Sequence, residues 1–214
     1  MTINYRKYNN YEEYLEHQSK KIDKLLEKKN KWSQKVRPEC FSKQVRLFIP
    51  RIEKFIRYLK EGNIICLGAR RGIEVAAFRK IGFINSIGID LNPGKNNKYV
   101  VKGDFHDIRF GDNSFDNVYC NCIDHIFNID KFVEEIHRIL KNKGIVMLEI
   151  SHVLDFKEKD RRKLIEVSSE KKYESFACDD FKDIEKRFKN FKLIKYIEIR
   201  DSKIIAIFKN IKNK

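Results

Sequence analysis

Apolar residues recur through the first third of the chain at mixed three- and four-residue spacing. Tyr14, Leu15, Ile22, Leu25, Leu26 and Trp32 mark a helix from about Tyr11 to Lys35, with charged residues filling its other face. Pro38 interrupts the pattern. A second helix is expected from about Ser42 to Lys60 on Val45, Phe48, Ile49, Ile52, Phe55, Ile56 and Leu59. Pro50 lies inside that stretch and predicts either a kink or a start there, because proline lacks the N–H an inner turn requires. Glu61-Gly62-Asn63 closes the segment. Residues 1–62 thus read as a helical N-terminal arm with no catalytic motif of its own.

After Asn63 the period changes to short strands alternating with helices. Ile64–Leu67 is an apolar strand, and Gly68-Ala69-Arg70-Arg71-Gly72 a glycine-bounded loop. Glu74–Lys80 is a helix stopped by Gly82. Ser86–Asp90 is the next strand, Asn92-Pro93-Gly94 a turn, and Tyr99–Lys102 a third strand. Phe115–Asn121 is the fourth. Asp130–Leu140 is a helix with Phe132, Val133, Ile136, Ile139 and Leu140 on one face. Asn142-Lys143-Gly144 turns the chain into a fifth strand, Ile145–Ile150. Near-continuous apolar strands belong to a parallel sheet covered on both faces, so residues 63–214 read as a doubly wound α/β domain. Asp179–Lys189 is a further helix. Leu193–Ile199 and Lys203–Phe208, joined by Arg200-Asp201-Ser202, must run antiparallel because their connection is so short. The charged stretch Ser151–Cys178 has no assignment.

Length and composition narrow the class. A chain of 214 residues suits one domain, or one domain with an arm. With 42% hydrophobic and 12% aromatic residues it can build a core, which excludes a disordered chain. No apolar run approaches the roughly 18 residues of a membrane-spanning helix. The first residues lack an apolar signal core, so a soluble, cytoplasmic protein is expected. Five cysteines (Cys40, Cys66, Cys120, Cys122 and Cys178) form no C-x-x-C pair, and Cys66, Cys120 and Cys122 fall in expected strands as small hydrophobes. Charge is uneven. Lys+Arg minus Asp+Glu is 16 − 7 = +9 over residues 1–60, 12 − 12 = 0 over 61–150, and 18 − 12 = +6 over 151–214. The basic flanks can meet RNA, an acidic glycan or a membrane surface, although a solvated helix face is the favoured reading.

Candidate chemistry lies in the neutral middle. Gly68 and Gly72 remove Cβ atoms where a ligand or a sharp turn approaches main chain. Asp90, eighteen residues after Gly72 at the end of a strand, can accept the two hydroxyls of a ribose. Lys102-Gly103-Asp104-Phe105 puts another acid at a strand's carboxyl end. There Asp104 can accept an adenine amino N–H and Phe105 can lie against the ring.

With Phe110-Gly111-Asp112-Asn113-Ser114-Phe115-Asp116-Asn117-Val118 and Glu134-Glu135-Ile136-His137-Arg138-Ile139-Leu140-Lys141-Asn142-Lys143-Gly144, the middle of the chain resembles a class I S-adenosylmethionine-dependent methyltransferase of the type 11 branch. The resemblance runs from about Ile64 to Ile150. It implies a seven-stranded, mostly parallel sheet ending in an antiparallel hairpin, with S-adenosyl-L-methionine as cofactor. It also implies that Gly68, Ala69 and Gly72 line the methionine end, with the Arg70 side chain either contacting the ligand or pointing away from the methionine, that Glu74 helps hold that loop, and that Asp90, followed by Leu91 in the cofactor site, holds the ribose. Asp104 and Phe105 would contact adenine, and Asn121 would lie under the sulfonium. Where the family usually has an acid and G-x-G, this chain has Cys66 and Gly68-Ala69-Arg70, so Arg70 replaces the middle glycine. Leu-Pro-Phe becomes Ile108-Arg109-Phe110.

Methyl transfer is an in-line displacement that needs alignment and exclusion of water, and a general base only where the acceptor loses a proton. Asp124 and His125 beyond the fourth strand, then His152 beyond the fifth, are the candidates for that base. His106 is a weaker one, and no metal is required. The expected acceptor is an O or N of a small molecule or glycan, enclosed by the arm and the stretch 151–178. An RNA methyltransferase using the basic flanks is the alternative. It is weakened for base N-methylation because Asn121-Cys122-Ile123-Asp124 stands where an N-P-P-Y tetrapeptide would. A cofactor-binding regulatory protein without turnover is a third reading, supported by Arg70. A nicotinamide dehydrogenase is disfavoured by the glycine spacing and the terminal hairpin.

Overall fold

A computed structural model describes residues 4–27, 37–150, 175–177, 180–199 and 203–212. Its centre is a seven-stranded sheet. The strands are β2 (Ile64–Leu67), β3 (Ile87–Asp90), β4 (Val100–Lys102), β5 (Phe115–Cys120), β6 (Leu140–Ile150), β8 (Phe191–Ile199) and β9 (Lys203–Asn210), in the order β4-β3-β2-β5-β6-β9-β8. From β4 to β6 all neighbours are parallel, while β9 runs antiparallel to both β6 and β8. The chain leaves β2 toward β3 and β4, then returns to place β5 on the other side of β2. That reversal opens a crevice at the carboxyl ends of β2 and β5, where open α/β sheets bind ligands.

Helices cover both faces, and the periodicity explains which residues they bury. On one face lie α3 (Phe41–Glu53) and α4 (Ile73–Lys80), with Val45, Phe48, Ile52, Val75 and Phe78 packed against Ile64, Cys66 and Tyr119. On the other, α5 (Ile129–Ile139) presents Phe132, Ile136 and Ile139 to Val118, Val146 and Phe208. Asn128 caps α5 by accepting the N–H groups of Asp130 and Lys131. Buried Asn117 on β5 clamps the end of the arm: its amide accepts from the Lys60 N–H at 2.9 Å and donates to the Lys60 carbonyl at 2.8 Å.

Several boundaries differ from the sequence expectation. The first helix is two, α1 (Tyr11–Ser19) and α2 (Lys21–Glu27), broken at Lys20; residues 28–36, with Trp32, lie outside the described residues. The second begins with a 3-10 turn at Pro38–Cys40 and becomes α3, which ends at Glu53. Pro50 sits in its last turn, where the missing N–H weakens the helix three residues before it stops. Leu140 ends α5 and already pairs with Phe115, so β6 begins before Asn142-Lys143-Gly144. Those residues bulge out of the ladder, whose register jumps from Phe115–Leu140 to Asn117–Ile145, with Lys143 at φ +62°. Cys122 lies beyond β5 rather than within it. The expected helix Asp179–Lys189 shrinks to Phe181–Glu185. A two-residue pairing of β1 (Asn4–Tyr5) with β7 (Phe176–Ala177), too short for any period to show, fastens the start of the arm. His152, Cys178 and Arg200-Asp201-Ser202 lie outside the described residues.

One connection is unusual. Parallel strands ordinarily need a crossover of about a dozen residues or more, usually a helix. β3 and β4 are joined by residues 91–99 alone, with no helix among them.

Candidate cofactor and active site

The loop after β2 carries the site. Gly68 stands at φ +66°, and a Cβ there would meet the Cys122 sulfur at 2.3 Å. Arg70 holds φ +50°, the left-handed region that costs an L-residue roughly 1–2 kcal/mol. The chain adopts it because the Arg70 N–H donates to Asp90 Oδ2 at 2.8 Å, while the Asn92 N–H donates to Asp90 Oδ1 at 2.9 Å. The Ala69 N–H closes the loop on the Ile89 carbonyl at 3.0 Å. One carboxylate at the end of β3 therefore sets the loop of β2, and each of its oxygens keeps a lone pair for a ligand hydroxyl.

Asp104, just past β4, is the second fixed acid. Its Oδ1 accepts the His106 N–H at 2.8 Å and lies 3.1 Å from His106 Nδ1, and its Oδ2 accepts the Tyr11 hydroxyl at 2.5 Å. The N–H groups of Phe127 and Asn128 both donate to His106 Nε2, which leaves Nδ1 as the protonated nitrogen. His106 is thereby a structural bridge, not a base. Burial pushes the Asp104 carboxyl up, but the hydrogen bonds from His106 and Tyr11 outweigh it and hold it below the usual carboxylate range. A carboxylate held low stabilises the fold above its unfolded pKa, and that contribution is lost as pH falls through the folded value.

The arm roofs the crevice. Tyr11 and Tyr14 of α1 meet His106 and Phe127 with ring centroids 5.1 to 5.8 Å apart. The Tyr14 hydroxyl donates to the His125 carbonyl at 3.2 Å. Lys21 reaches His125 Nε2, whose other neighbour is Asp124 Oδ2 at 3.5 Å. Asn92 Nδ2 donates to the Ser19 carbonyl at 2.9 Å and to Asp23 Oδ2 at 3.1 Å. Beneath this roof remains a cavity of about 50 Å³, lined by Tyr14, Lys21, Gly68, Arg70, Asp90 and His125, with Leu91 and Phe105 also on its wall.

The structure thus brings Gly68, Arg70, Asp90, Leu91, Phe105 and His125 to one cavity, with Asp104 and Asp124 at its margin. Ala69 and Gly72 are buried behind the loop. Asn121 donates to Glu74 Oε1 at 3.1 Å at the carboxyl end of β5. Sequence reasoning missed Tyr11, Tyr14, Gln18 and Lys21. Their signal was a 3-4-3 spacing along one helical stripe, read there only as a hydrophobic face.

The model of the Methyltransf_11 family, a methyltransferase domain, matches residues 65–148, from the glycine-loop strand to β6. Over that stretch the chain is similar to a methyltransferase domain. An uncharacterized protein of Methanocaldococcus jannaschii is 24% identical over 155 residues, covering 68% of this chain and 53% of that protein, so the chain spans about half the length of the curated relative it matches. Among solved structures, the PH0226 protein from Pyrococcus horikoshii superposes with a TM-score of 0.61 at 16% identity, over 82% of this chain and 93% of that one. A SAM-dependent methyltransferase from Archaeoglobus fulgidus gives 0.57 at 14%, over 78% and 94%. At these identities the superpositions show the fold.

S-adenosylmethionine, the cofactor that this similarity implies, would enter the crevice at the strand ends. Asp90 and Asp104 fit its ribose and adenine chemically, but a cavity of about 50 Å³ is far below the roughly 300 Å³ or more of ordinary ligand sites. Admission of S-adenosylmethionine therefore requires α1 to move. Tyr11→Phe removes the α1 bond to Asp104 and lowers the cost of that movement. Apparent cofactor affinity is expected to tighten about fivefold, in line with a net hydrogen bond of about 1 kcal/mol. Calorimetry on the variant checks this, and weakened binding would instead place the Tyr11 hydroxyl on the cofactor.

Glu74 is buried beside Cys66 and Asn121. Burial pushes its carboxyl up, against the opposing pull of its own N–H, Arg70 and Asn121. A folded pKa raised above the unfolded value contributes stability below the unfolded pKa and loses it as pH rises through the folded value. Glu74→Gln keeps the acceptor for Asn121 without the ionisation. Its melting temperature relative to the parent protein is expected to climb from acid to neutral pH, and a flat difference would contradict the assignment.

Proposed function

We propose that the protein transfers the methyl group of S-adenosylmethionine to an oxygen or nitrogen of a small-molecule or glycan acceptor. The observation that carries this reading is the enclosure of the crevice. Two fixed carboxylates, Asp90 and Asp104, stand at adjacent strand ends beneath a helical roof, which suits a compact acceptor and excludes water. In this reading residues 63–214 are the catalytic domain and the arm, 1–62, is its cover.

The cofactor supplies a methyl group already activated by its sulfonium charge. Asp90 with Leu91 holds the ribose, and Asp104 with Phe105 holds the adenine. Gly68 lets the ligand approach main chain, while Arg70, Asn121 and Glu74 border the methionine end. For an acceptor that must shed a proton, His125 with Asp124 is the pair at the crevice. Lys21 occupies His125 Nε2 while α1 and α2 are down. The displacement that makes room for cofactor also takes Lys21 from that nitrogen and leaves it facing Asp124 Oδ2, so ligand entry and the His125–Asp124 pair are coupled through the arm.

Release of S-adenosylhomocysteine in the presence of pooled phenolic, amine and saccharide acceptors is the test. Turnover that depends on Asp90 and falls in His125→Ala is expected. Turnover on RNA alone would replace the acceptor class. An RNA acceptor is the second reading because of one observation, a cationic groove beside the cofactor loop.

A further inference from the structure

The short β3–β4 connection leaves a groove of about 890 Å³ against α4, whose lining residues Arg71 and Pro93 adjoin Arg70 and Leu91 of the crevice in sequence. Its lining includes Arg37, which pairs with Glu39, and Arg71, Arg79, Lys80, Lys95 and Lys98, with no acidic residue on the wall among the described residues. Five of these six come from residues 61–150, the stretch whose 12 cations and 12 acids cancel in sequence. The fold has sorted those charges: neutrality along the chain conceals a one-sign cleft in space.

The groove is built. The Arg71 guanidinium donates to the Pro93 carbonyl at 3.0 Å, and a Cβ on Gly94 would overlap it, so the loop closes around the side chain. Arg71 Nε is buried with no hydrogen-bond partner among the described residues. Asn97 fastens the loop by donating to the Pro93 carbonyl and accepting from the N–H groups of Tyr99 and Val100. Phe41 and Tyr99 stack at 5.4 Å, with Arg79 and Lys98 over the tyrosine ring at 5.3 and 5.2 Å. Arg71, Arg79, Lys80, Lys95 and Lys98 have no carboxylate partner among the described residues.

We propose that this groove binds the phosphodiester backbone of a single-stranded nucleic acid. Lys and Arg that neutralise phosphates supply most of the affinity of such complexes, and cations already free of internal acids bring no salt bridge that must first break. A positively charged groove that tracks the backbone is how single strands are held without sequence readout. The site is concave, which disfavours a lipid surface. It lies outside the methyl-donor crevice, and the inference does not depend on the methyl-transfer reading.

The test is fluorescence anisotropy of a labelled oligouridylate of about 12 nucleotides with the full chain, at about 50 and about 200 mM salt. Lys95→Glu/Lys98→Glu reverses two exposed side chains, and is expected to weaken binding at least about tenfold and to reduce the salt slope by about 2. Lys182→Glu/Lys189→Glu, also exposed and of equal net charge, is expected to stay within about twofold. Should the first pair lower the melting temperature, Lys80→Ala/Lys95→Ala repeats the test more gently. Equal loss in both double variants, or loss in neither, overturns the proposal. Competitive displacement of the oligonucleotide by ATP would assign the groove to a free nucleotide, and groove-dependent binding of phosphatidylserine vesicles would assign it to a membrane; either outcome overturns it too. S-adenosylmethionine titrated into the same variants should bind as in the parent, which separates failure here from failure of the cofactor reading.

Discussion

Asp90→Ala is expected to weaken S-adenosylmethionine binding about thirtyfold or more. Charged hydrogen bonds contribute about 1.5–3 kcal/mol each, and in the proposed binding mode a ribose diol would engage this carboxylate directly. The loss has a second source, because the same carboxylate accepts the N–H groups of Arg70 and Asn92. Without it Arg70 has less reason to stay at φ +50°, so the loop that lets ligand approach main chain loosens as well. Asp90→Asn keeps one acceptor and should fall between the two. Isothermal calorimetry with a parallel urea titration separates ligand contact from loop stability; unchanged affinity in Asp90→Ala would move the ribose elsewhere.

Gly72→Ala should destabilise the fold by about 3 kcal/mol or more. At φ +85° an L side chain is strained by about 1–2 kcal/mol. The new Cβ would also lie 2.5 Å from Tyr99 Cβ and 2.9 Å from Val100 Cγ2, an overpacking that costs a further 1–3 kcal/mol or so. In a chain of this size the melting temperature would fall by roughly 6–12 °C. Gly82→Ala is the control. Its φ is +109° but nothing lies within 4 Å of the added atom, so only the backbone cost remains. Equal effects in the two variants would contradict the packing account.

Both substitutions lie in the part of the chain that was most legible. β2 read correctly because a buried parallel strand is a continuous apolar run, β3 and β5 because short apolar segments there are bounded by turn residues, and the terminal hairpin followed from the shortness of its turn. Asp90 was found because strand end and carboxylate coincide. What escaped was tertiary. Tyr11 and Tyr14 satisfy a helical period equally well facing a core or a ligand crevice, and only the bond from Tyr11 to Asp104, 93 residues away, distinguishes them. The β6 bulge was read as a turn because Asn142-Lys143-Gly144 has turn chemistry, while Leu140 finds its partner Phe115 only in the assembled sheet. The groove was invisible for a different reason. A sum over residues 61–150 cancels five cations that the fold gathers in one groove against acids that do not line it.

The central claim is that the crevice under α1, with Asp90 at its base, takes S-adenosylmethionine. Calorimetric titration of S-adenosylmethionine and S-adenosylhomocysteine into the folded protein, with NAD as control, tests it most directly. The account predicts saturable micromolar binding of both sulfur compounds at one site per chain and no heat from NAD. Absence of binding to protein whose melting curve shows it folded would contradict it.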